Sequence, residues 1–436
     1  MKRLIVVMVM LLTAAALFAG GIENKTNFNV GWLMNMSKNT ETQRPDAVFF
    51  NPAGTAFMKD GLYVDIGNQF VLKDYEHKVT VPPAGFGTYN ADNVTYLYPN
   101  AEIVFKKDNW AVFGAFGVFA GGGLLEYTKG TYLTQGMLAN YMHPIVGATL
   151  SDLTHSLDVY SVTFGEIFGG AYAFDVKDMK ISVSAAIRFL QGSQSLEANL
   201  DKDPTGGMLT GIPGMLPPVT SKKLLNAESS ANGIGGIFGV HFKPMEDLDI
   251  AVTYQTITKM EYEWSKADGS LAPMVAAMGI AKKGKFKNDL PAVLGAGVGY
   301  RIIEELYASV SFTYFFNKQA DSTGAFGVDY DNSWEIGVGA TYDYSDKISF
   351  SLGTAYSKQG FEKEKNSAFA PNLNSFAIGL GTSLKFVKDL TIDIAGFKPF
   401  YFGKEYETDL AGNPFKMDLE KKSMWLIGIG ATYKIF

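Results

Sequence analysis

Apolar and polar residues alternate one by one along much of this chain. Trp334, Ile336, Val338, Ala340, Tyr342 and Tyr344 interleave with Glu335, Gly337, Gly339, Thr341 and Asp343. Phe376, Ile378, Leu380, Thr382, Leu384 and Phe386 do the same against Ser375, Ala377, Gly379, Gly381, Ser383 and Lys385, and the segments Leu306 to Phe316 and Ile348 to Tyr356 repeat the pattern. A period of two marks a strand with two unlike faces. Here one face is apolar with aromatics toward its ends, and the other is small or polar. Strands of about ten residues with such faces suit a barrel whose outside meets lipid and whose inside is lumen; strands of a water-soluble sandwich are usually shorter.

The connections carry a second rhythm. Tight charged turns fall at Lys107 to Asn109, Asp175 to Asp178, Pro244 to Asp247, Ile303 to Glu305, Ser345 to Lys347 and Val387 to Asp389. Longer segments lie between them, at 80–95, 121–155, 201–226, 265–284, 321–331, 361–372 and 404–418. Six short turns and seven long loops predict an all-β fold, a 14-stranded antiparallel transmembrane β-barrel over 61–436, with both chain ends on the short-turn side. Even strand numbers, short periplasmic turns and long extracellular loops are the layout of outer-membrane barrels. The chain ends in Phe436, as many outer-membrane proteins do, although Trp425, Ile427, Ile429, Tyr433 and Ile435 set a phase that puts Phe436 on the other face.

Ahead of the strands, Lys2 and Arg3 precede an apolar stretch from Leu4 to Ala19, which predicts a signal peptide over 1–19. No later apolar run is long enough to span a membrane as a helix. Composition agrees with a barrel: aromatics are 14%, Gly numbers 47, and charged residues are only 19%. A net charge of −6 leaves no basic footprint, so nucleic acid is not an expected partner. There is no Cys, which removes disulfides, thiolate metal sites and thiol catalysis. His77, His143, His155 and His241 fall in no metal-binding spacing, and there is no Gly-x-Ser-x-Gly elbow. Gly295, Gly297 and Gly299 sit inside a strand with no helix after them, and so read as small lumen-facing residues rather than a dinucleotide loop. No enzyme, metal or cofactor is expected.

Residues 20–60 are too polar and irregular for a strand pair and predict a plug inside the barrel mouth. They contain Asp46-Ala47-Val48-Phe49-Phe50-Asn51-Pro52-Ala53-Gly54, where Asn-Pro followed by Ala-Gly is a turn signal. This stretch, in this position, resembles the hallmark of the FadL/TodX family of outer-membrane transporters for long-chain fatty acids and other hydrophobic compounds. The resemblance extends to the signal, the strand number and the terminal Phe. It implies a plug that blocks the barrel and a kinked third strand that opens a side passage toward the membrane. It also implies that each barrel works alone, and that Asn51, Pro52, Ala53 and Gly54 lie at the plug's gate. Gly114, Gly117 and Gly121 to Gly123 make a kink in that strand compatible with the sequence.

Three of the long loops are more apolar than water-facing loops should be. The first holds Met137, Leu138, Tyr141 and Met142, the second Met208, Leu209, Met215 and Leu216, and the third Leu271, Met274, Val275, Met278 and Ile280. Burying each such side chain is worth roughly 1.5–3 kcal/mol, so these groups pack on one another, on lipid or on a ligand. A fatty acid also needs a cation for its carboxylate. Arg188 is the first candidate, because Ile181, Val183, Ala185, Ile187 and Phe189 claim the lipid face and turn it into the lumen. Lys287 is the second, on the phase set by Ala292, Leu294, Ala296 and Val298. A lumen cation paired with Glu166 or Asp393 is the competing reading. The expected function is passive outer-membrane transport of hydrophobic molecules, long-chain fatty acids first, through a plugged barrel with lateral exit into outer-membrane lipid. A general aqueous porin and an outer-membrane lipase or protease are the alternatives.

Overall fold

The protein is described by a computed structural model covering residues 27–80, 87–131, 154–202, 222–276, 279–321, 331–360, 373–402, 405–410 and 413–436. The expected signal segment, 1–19, lies outside the described residues. Eighteen strand segments form one sheet, and at four places two consecutive segments are halves of one strand against a common neighbour. The result is fourteen staves. They are β1 (Gly61–Thr80), β2 (Gly87–Thr95 and Pro99–Lys107), β3 (Trp110–Tyr127), β4 (Thr154–Val176), β5 (Met179–Lys202), β6 (Lys223–Met245) and β7 (Leu248–Gln255 and Glu261–Asp268). There follow β8 (Lys285–Lys287 and Ala292–Ile303), β9 (Leu306–Phe316), β10 (Ser333–Ser345), β11 (Ile348–Lys358), β12 (Asn374–Val387), β13 (Leu390–Phe402 and Glu405–Leu410) and β14 (Asn413–Lys434). Every neighbouring pair is antiparallel, and β1 closes on β14 from Tyr63↔Lys434 to Thr80↔Lys416. The sheet closes on itself and so has no free edge strand.

The six short turns are where the sequence puts them, each two residues long at 108–109, 177–178, 246–247, 304–305, 346–347 and 388–389. Asp108, Lys177 and Asp389 take positive φ there, the twist that lets a two-residue turn match a hairpin. The opposite end differs from expectation. Strand pairing runs into segments read as loops, so that 404–418 is largely a hairpin and β2 extends well into 80–95, pairing with β1 from Val71↔Thr95 to Val79↔Gly87. Above the lipid both faces of a strand are polar, and the alternation that reveals strands fades. β4, β5 and β6 have 23, 24 and 23 residues, against 11 each for β9 and β11. The extra dozen or so residues raise that side of the wall by roughly 30 Å.

Alternation sorts the side chains as read. On β5, Val183 and Ile187 are exposed outward while Ser182, Ser184 and Arg188 are buried inside. Aromatics line the outer face at both levels: Trp334 lies tilted against Tyr356 at 5.5 Å, and Phe105 meets Trp110 edge-on at 5.3 Å, with Phe436 joining the lower group 6.2 Å from Phe105.

Residues 27–58 fill the lower lumen. Helix α1 (Val30–Met34) is capped by the Asn29 side chain, which accepts from the Trp32 N–H, and lies against the inner faces of β12, β13, β14 and β1. The glycine rows of those strands make room for it: a Cβ on Gly379 would lie 2.0 Å from the Leu33 carbonyl oxygen. Side chains of the wall take the backbone groups that this short, irregular segment leaves open. Ser309 Oγ donates to Ser37 O at 3.0 Å, Thr253 Oγ1 to Phe50 O at 3.2 Å, and Ser182 Oγ to Ala53 O at 2.5 Å. Asn39 Nδ2 reaches the carbonyls of Ala296 and Phe312 at 3.1 and 3.2 Å.

Charge anchors the segment as well. Arg44 pairs with Asp393 of β13, which is buried. Removing one member of a buried pair costs about 3–5 kcal/mol, because the other is left uncompensated. Arg44→Ala is therefore expected to unseat the segment and raise single-channel conductance in planar bilayers; wild-type conductance would refute that anchoring. Asp46 pairs with Lys38 at 3.1 Å. Burial outweighs the lysine and pushes the Asp46 carboxyl up to about 6. A raised carboxyl favours docking in its protonated form, fully below its ordinary value near 3.8 and no longer once the pH passes about 6. Acidification from about pH 7.5 to about pH 5 should thus raise the protection factors of amides 42–50, measured against their intrinsic exchange rates at each pH, a change that Asp46→Asn should abolish.

Candidate functional site

Four phenylalanines form the floor of the space above the plug. Phe28 stacks on Phe49 at 5.2 Å and approaches Phe50 at 5.7 Å, and Phe119 of β3 meets Phe28 and Phe49 at 5.0 and 5.9 Å. Phe49 and Phe50 come from helix α2 (Ala47–Phe50), which presents both rings upward because the Asn-Pro step ends it at once. The cavity between these rings and β7, β8 and β9 is about 30 Å³, room for water but not for an alkyl chain.

Arg188 stands beside this floor, 2% exposed, its guanidinium 5.5 Å above the Phe119 ring. It donates to Gln255 Oε1, to Thr258 Oγ1 at 2.7 Å and to Thr256 O at 3.3 Å, while Nε has no partner. Among the described residues no carboxylate pairs with it, and neither competing acid is its partner: Asp393 holds Arg44, and Glu166 lies in register with Phe116 and Phe189 on the outward row. A buried cation held only by neutral oxygens keeps an unneutralised charge.

Higher up, Tyr262 stacks on Phe286 at 5.2 Å and Trp264 lies 5.3 Å from it, above Leu190 and Met260, all inside the tall wall. In the third apolar loop Leu271, Val275 and Ile280 are buried on this rim around helix α3 (Ala272–Ala276), a self-packed arrangement. Met137, Leu138, Tyr141, Met142, Met208, Leu209, Met215 and Leu216 lie outside the described residues.

The third strand is kinked. Against β4 its register runs Val118↔Phe164, Ala120↔Thr163, Gly123↔Ser161, so β3 carries two more residues than β4 across this stretch. Gly121 and Gly123 take φ of 84° and 79°, and a Cβ on Gly121 would lie 2.2 Å from Ser161 O, so only glycine fits. On the other side, β2–β3 pairing stops at Ala101↔Phe116. The ladder would continue through Pro99, which has no N–H to donate. β2 itself bulges at 96–98, where Asn68 clamps it by donating to Tyr96 O at 2.8 Å and accepting from the Tyr98 N–H at 2.9 Å. The hydrogen-bonded ladder therefore breaks between β2 and β3, beside exposed Tyr96 and Leu97 on the outer face and buried Phe119 on the inner one; side chains of upper β2 still bridge to β3 above the break.

Two expected placements are corrected. Lys287 does not point into the lumen: it is exposed and pairs with Asp321 at 3.0 Å. Thr253 and Gln255 face inward on β7, but so do Tyr262 and Trp264, so the phase flips between them; its partner β8 flips too, putting Phe286 inside and Lys287 outside. The Asn51 to Gly54 turn is not what borders the break. Asn51 Nδ2 contacts His241 Nδ1 at 2.7 Å on β6, Ala53 abuts Ser182 and Gly239, and Gly54 packs on Glu41; Phe28 and Phe49 are the plug residues at Gly117 and Phe119. His241 is held in turn by Asp249 at 2.8 Å, an anchor that a lone His in an alternating strand does not announce.

The family described as outer membrane protein transport protein (OMPP1/FadL/TodX) matches residues 10–435. The long-chain fatty acid transport protein of Escherichia coli O157:H7 is 21% identical over 263 residues, covering 56% of this chain and 57% of that protein. Outer membrane protein P1 of Haemophilus influenzae is 23% identical over 189 residues, covering 41% and 40%. The chain thus spans about half the length of the curated relatives it matches. Among solved structures, a FadL homologue of Pseudomonas aeruginosa has a TM-score of 0.65 at 16% identity, covering 94% of this chain and 99% of that one. The toluene transporter TodX of P. putida has a TM-score of 0.60 at 14% identity, covering 91% and 96%. At such identities the likeness speaks for the fold alone. The chain belongs to the OMPP1/FadL/TodX family of outer membrane transport proteins, and its barrel resides in the outer membrane.

Proposed function

We propose that this protein carries amphipathic hydrophobic molecules with an acidic head, long-chain fatty acids above all, passively across the outer membrane. The observation that carries the reading is Arg188: a buried guanidinium with neutral partners, at the foot of an aromatic and aliphatic column. A carboxylate there would supply the missing counter-charge, while the chain lies along Leu190, Met260 and Tyr262. The Phe28–Phe49–Phe50 floor blocks direct descent, and the β2–β3 break beside Phe119 offers a sideways exit into lipid at the same height. Lateral exit spares apolar surface a passage through water. An aqueous porin fits poorly with a lower lumen filled by residues 27–58.

A second reading, neutral monoaromatic hydrocarbons, draws on the ring-lined floor and on the toluene transporters that share the fold. The two differ in their need for Arg188. With the full chain in nanodiscs, Arg188→Gln should weaken equilibrium binding of labelled oleate about tenfold or more, the worth of a charge-assisted hydrogen bond, and leave toluene binding within about twofold. Oleate binding that ignores the substitution would rule out the fatty-acid reading; tight toluene binding without saturable oleate binding would favour the second.

A further inference from the structure

Ion pairing separates two sets of buried or half-buried cations in the lumen. Toward the periplasmic end each has an acid: Lys38 with Glu41 and Asp46, Arg44 with Asp393, Lys106 with Asp60, Lys243 with Asp249. Arg188 has none. Nor has Lys73, on the inner face of β1, which is equally buried. Its ammonium donates to Thr95 Oγ1 at 3.1 Å, to Leu124 O at 3.0 Å and to Gly122 O, and no carboxylate among the described residues pairs with it.

All three oxygens border the break in the ladder. Thr95 ends the upper half of β2, and Gly122 and Leu124 belong to the stretch of β3 that has lost its β2 partner. Carbonyls stripped of a strand need donors, but neutral donors would do, and the Asn93 amide already serves Leu124 O. A charge adds a desolvation cost that these oxygens do not repay. What the charge adds is reach toward an anion. Gly122 is exposed, and a Cβ on it would lie 3.6 Å from Lys73 Nζ, so the ammonium lies directly against this stretch of β3 with no side chain between.

We propose that Lys73 is an anion site at the lateral opening, where the carboxylate of an amphipathic ligand displaces the Gly122 and Leu124 carbonyls from the ammonium. That exchange links arrival of the acidic head to release of the β3 edge from β1, while Asn93 and Thr95 of β2 keep their bonds to the same carbonyls. It rests on the transport reading above and receives the head that Arg188 first holds. Neutral cargo would pass the break without engaging it.

Uptake of labelled oleate and of labelled oleyl alcohol, through the full chain in outer-membrane vesicles, separates these roles. Lys73→Met should slow oleate uptake about tenfold, with equilibrium oleate binding preserved through Arg188 and oleyl alcohol uptake within about twofold of wild type. Lys73→Arg should restore oleate uptake, and heat-modifiable gel mobility reports whether each variant is a folded barrel. Equal slowing of acid and alcohol assigns Lys73 a structural role only and overturns the proposal, as does unchanged oleate uptake. A wild-type protein that neither binds nor passes oleate removes the transport reading and this site with it; a fault confined to the Lys73 variants removes the site alone.

Discussion

In hydrocarbon a backbone amide has only the neighbouring strand to bond, and the closed ladder from β1 to β14 meets that demand all the way round. The rest of the molecule can be understood through the few places where the ladder is relaxed. They are the β2 bulge at 96–98, the β3 kink at 117–123, and the stretch of β7 and β8 that narrows to the Thr258↔Leu290 bridge. In each, side chains take over the orphaned groups: Asn68 from the outer face at the bulge, Lys73 and Asn93 at the kink, Thr256 and Arg188 at the break. Ladder pairs Gly117↔Gly165↔Leu190↔Gly233 join the β3 kink to β6 beside the β7 break along one hydrogen-bonded row. The candidate site is the level at which backbone pairing yields to side chains, and the side chains that step in are polar or charged.

Below that level the lumen is packed rather than open. Glycine and serine rows on the inner wall are the complement of residues 27–58: Gly339 faces Asn35, Gly379 faces Leu33, and Ser309 and Ser311 bond Ser37 and Asn39. A lumen lined with small residues would be a channel if empty. Filled by a segment with its own aromatics and paired charges, it becomes a stopper with an apolar upper surface. Paired charge below and unneutralised charge above then divide anchoring from recognition.

Much of this was legible in the chain. Period-two alternation showed which face each strand gives to lipid, and it placed Arg188 inside from the neighbours Val183, Ile187 and Phe189. The charged turns were legible because two-residue hairpins restrict φ and leave a local residue signature. Lys287 was misplaced because a phase counted from Ala292 does not survive the β7–β8 break; Pro291, next to Ala292, is the one local sign of it. Pro99 marks the β2–β3 break in the same way, and neither proline says what it interrupts. Phe119 and Lys73 were missed since each lies in ordinary alternation and gains meaning only from partners in other strands.

The sequence by itself determined the barrel, its strand number, its lipid face and the presence of a segment to fill it. These follow from covalent geometry, which alternates side chains at every residue and needs no distant contact. Only the tertiary structure decided which cations have acids and which do not. Arg44 finds Asp393 from 349 residues away, and Asn51 finds His241 from 190. Closing the sheet sets those neighbours, and no local pattern encodes the closure.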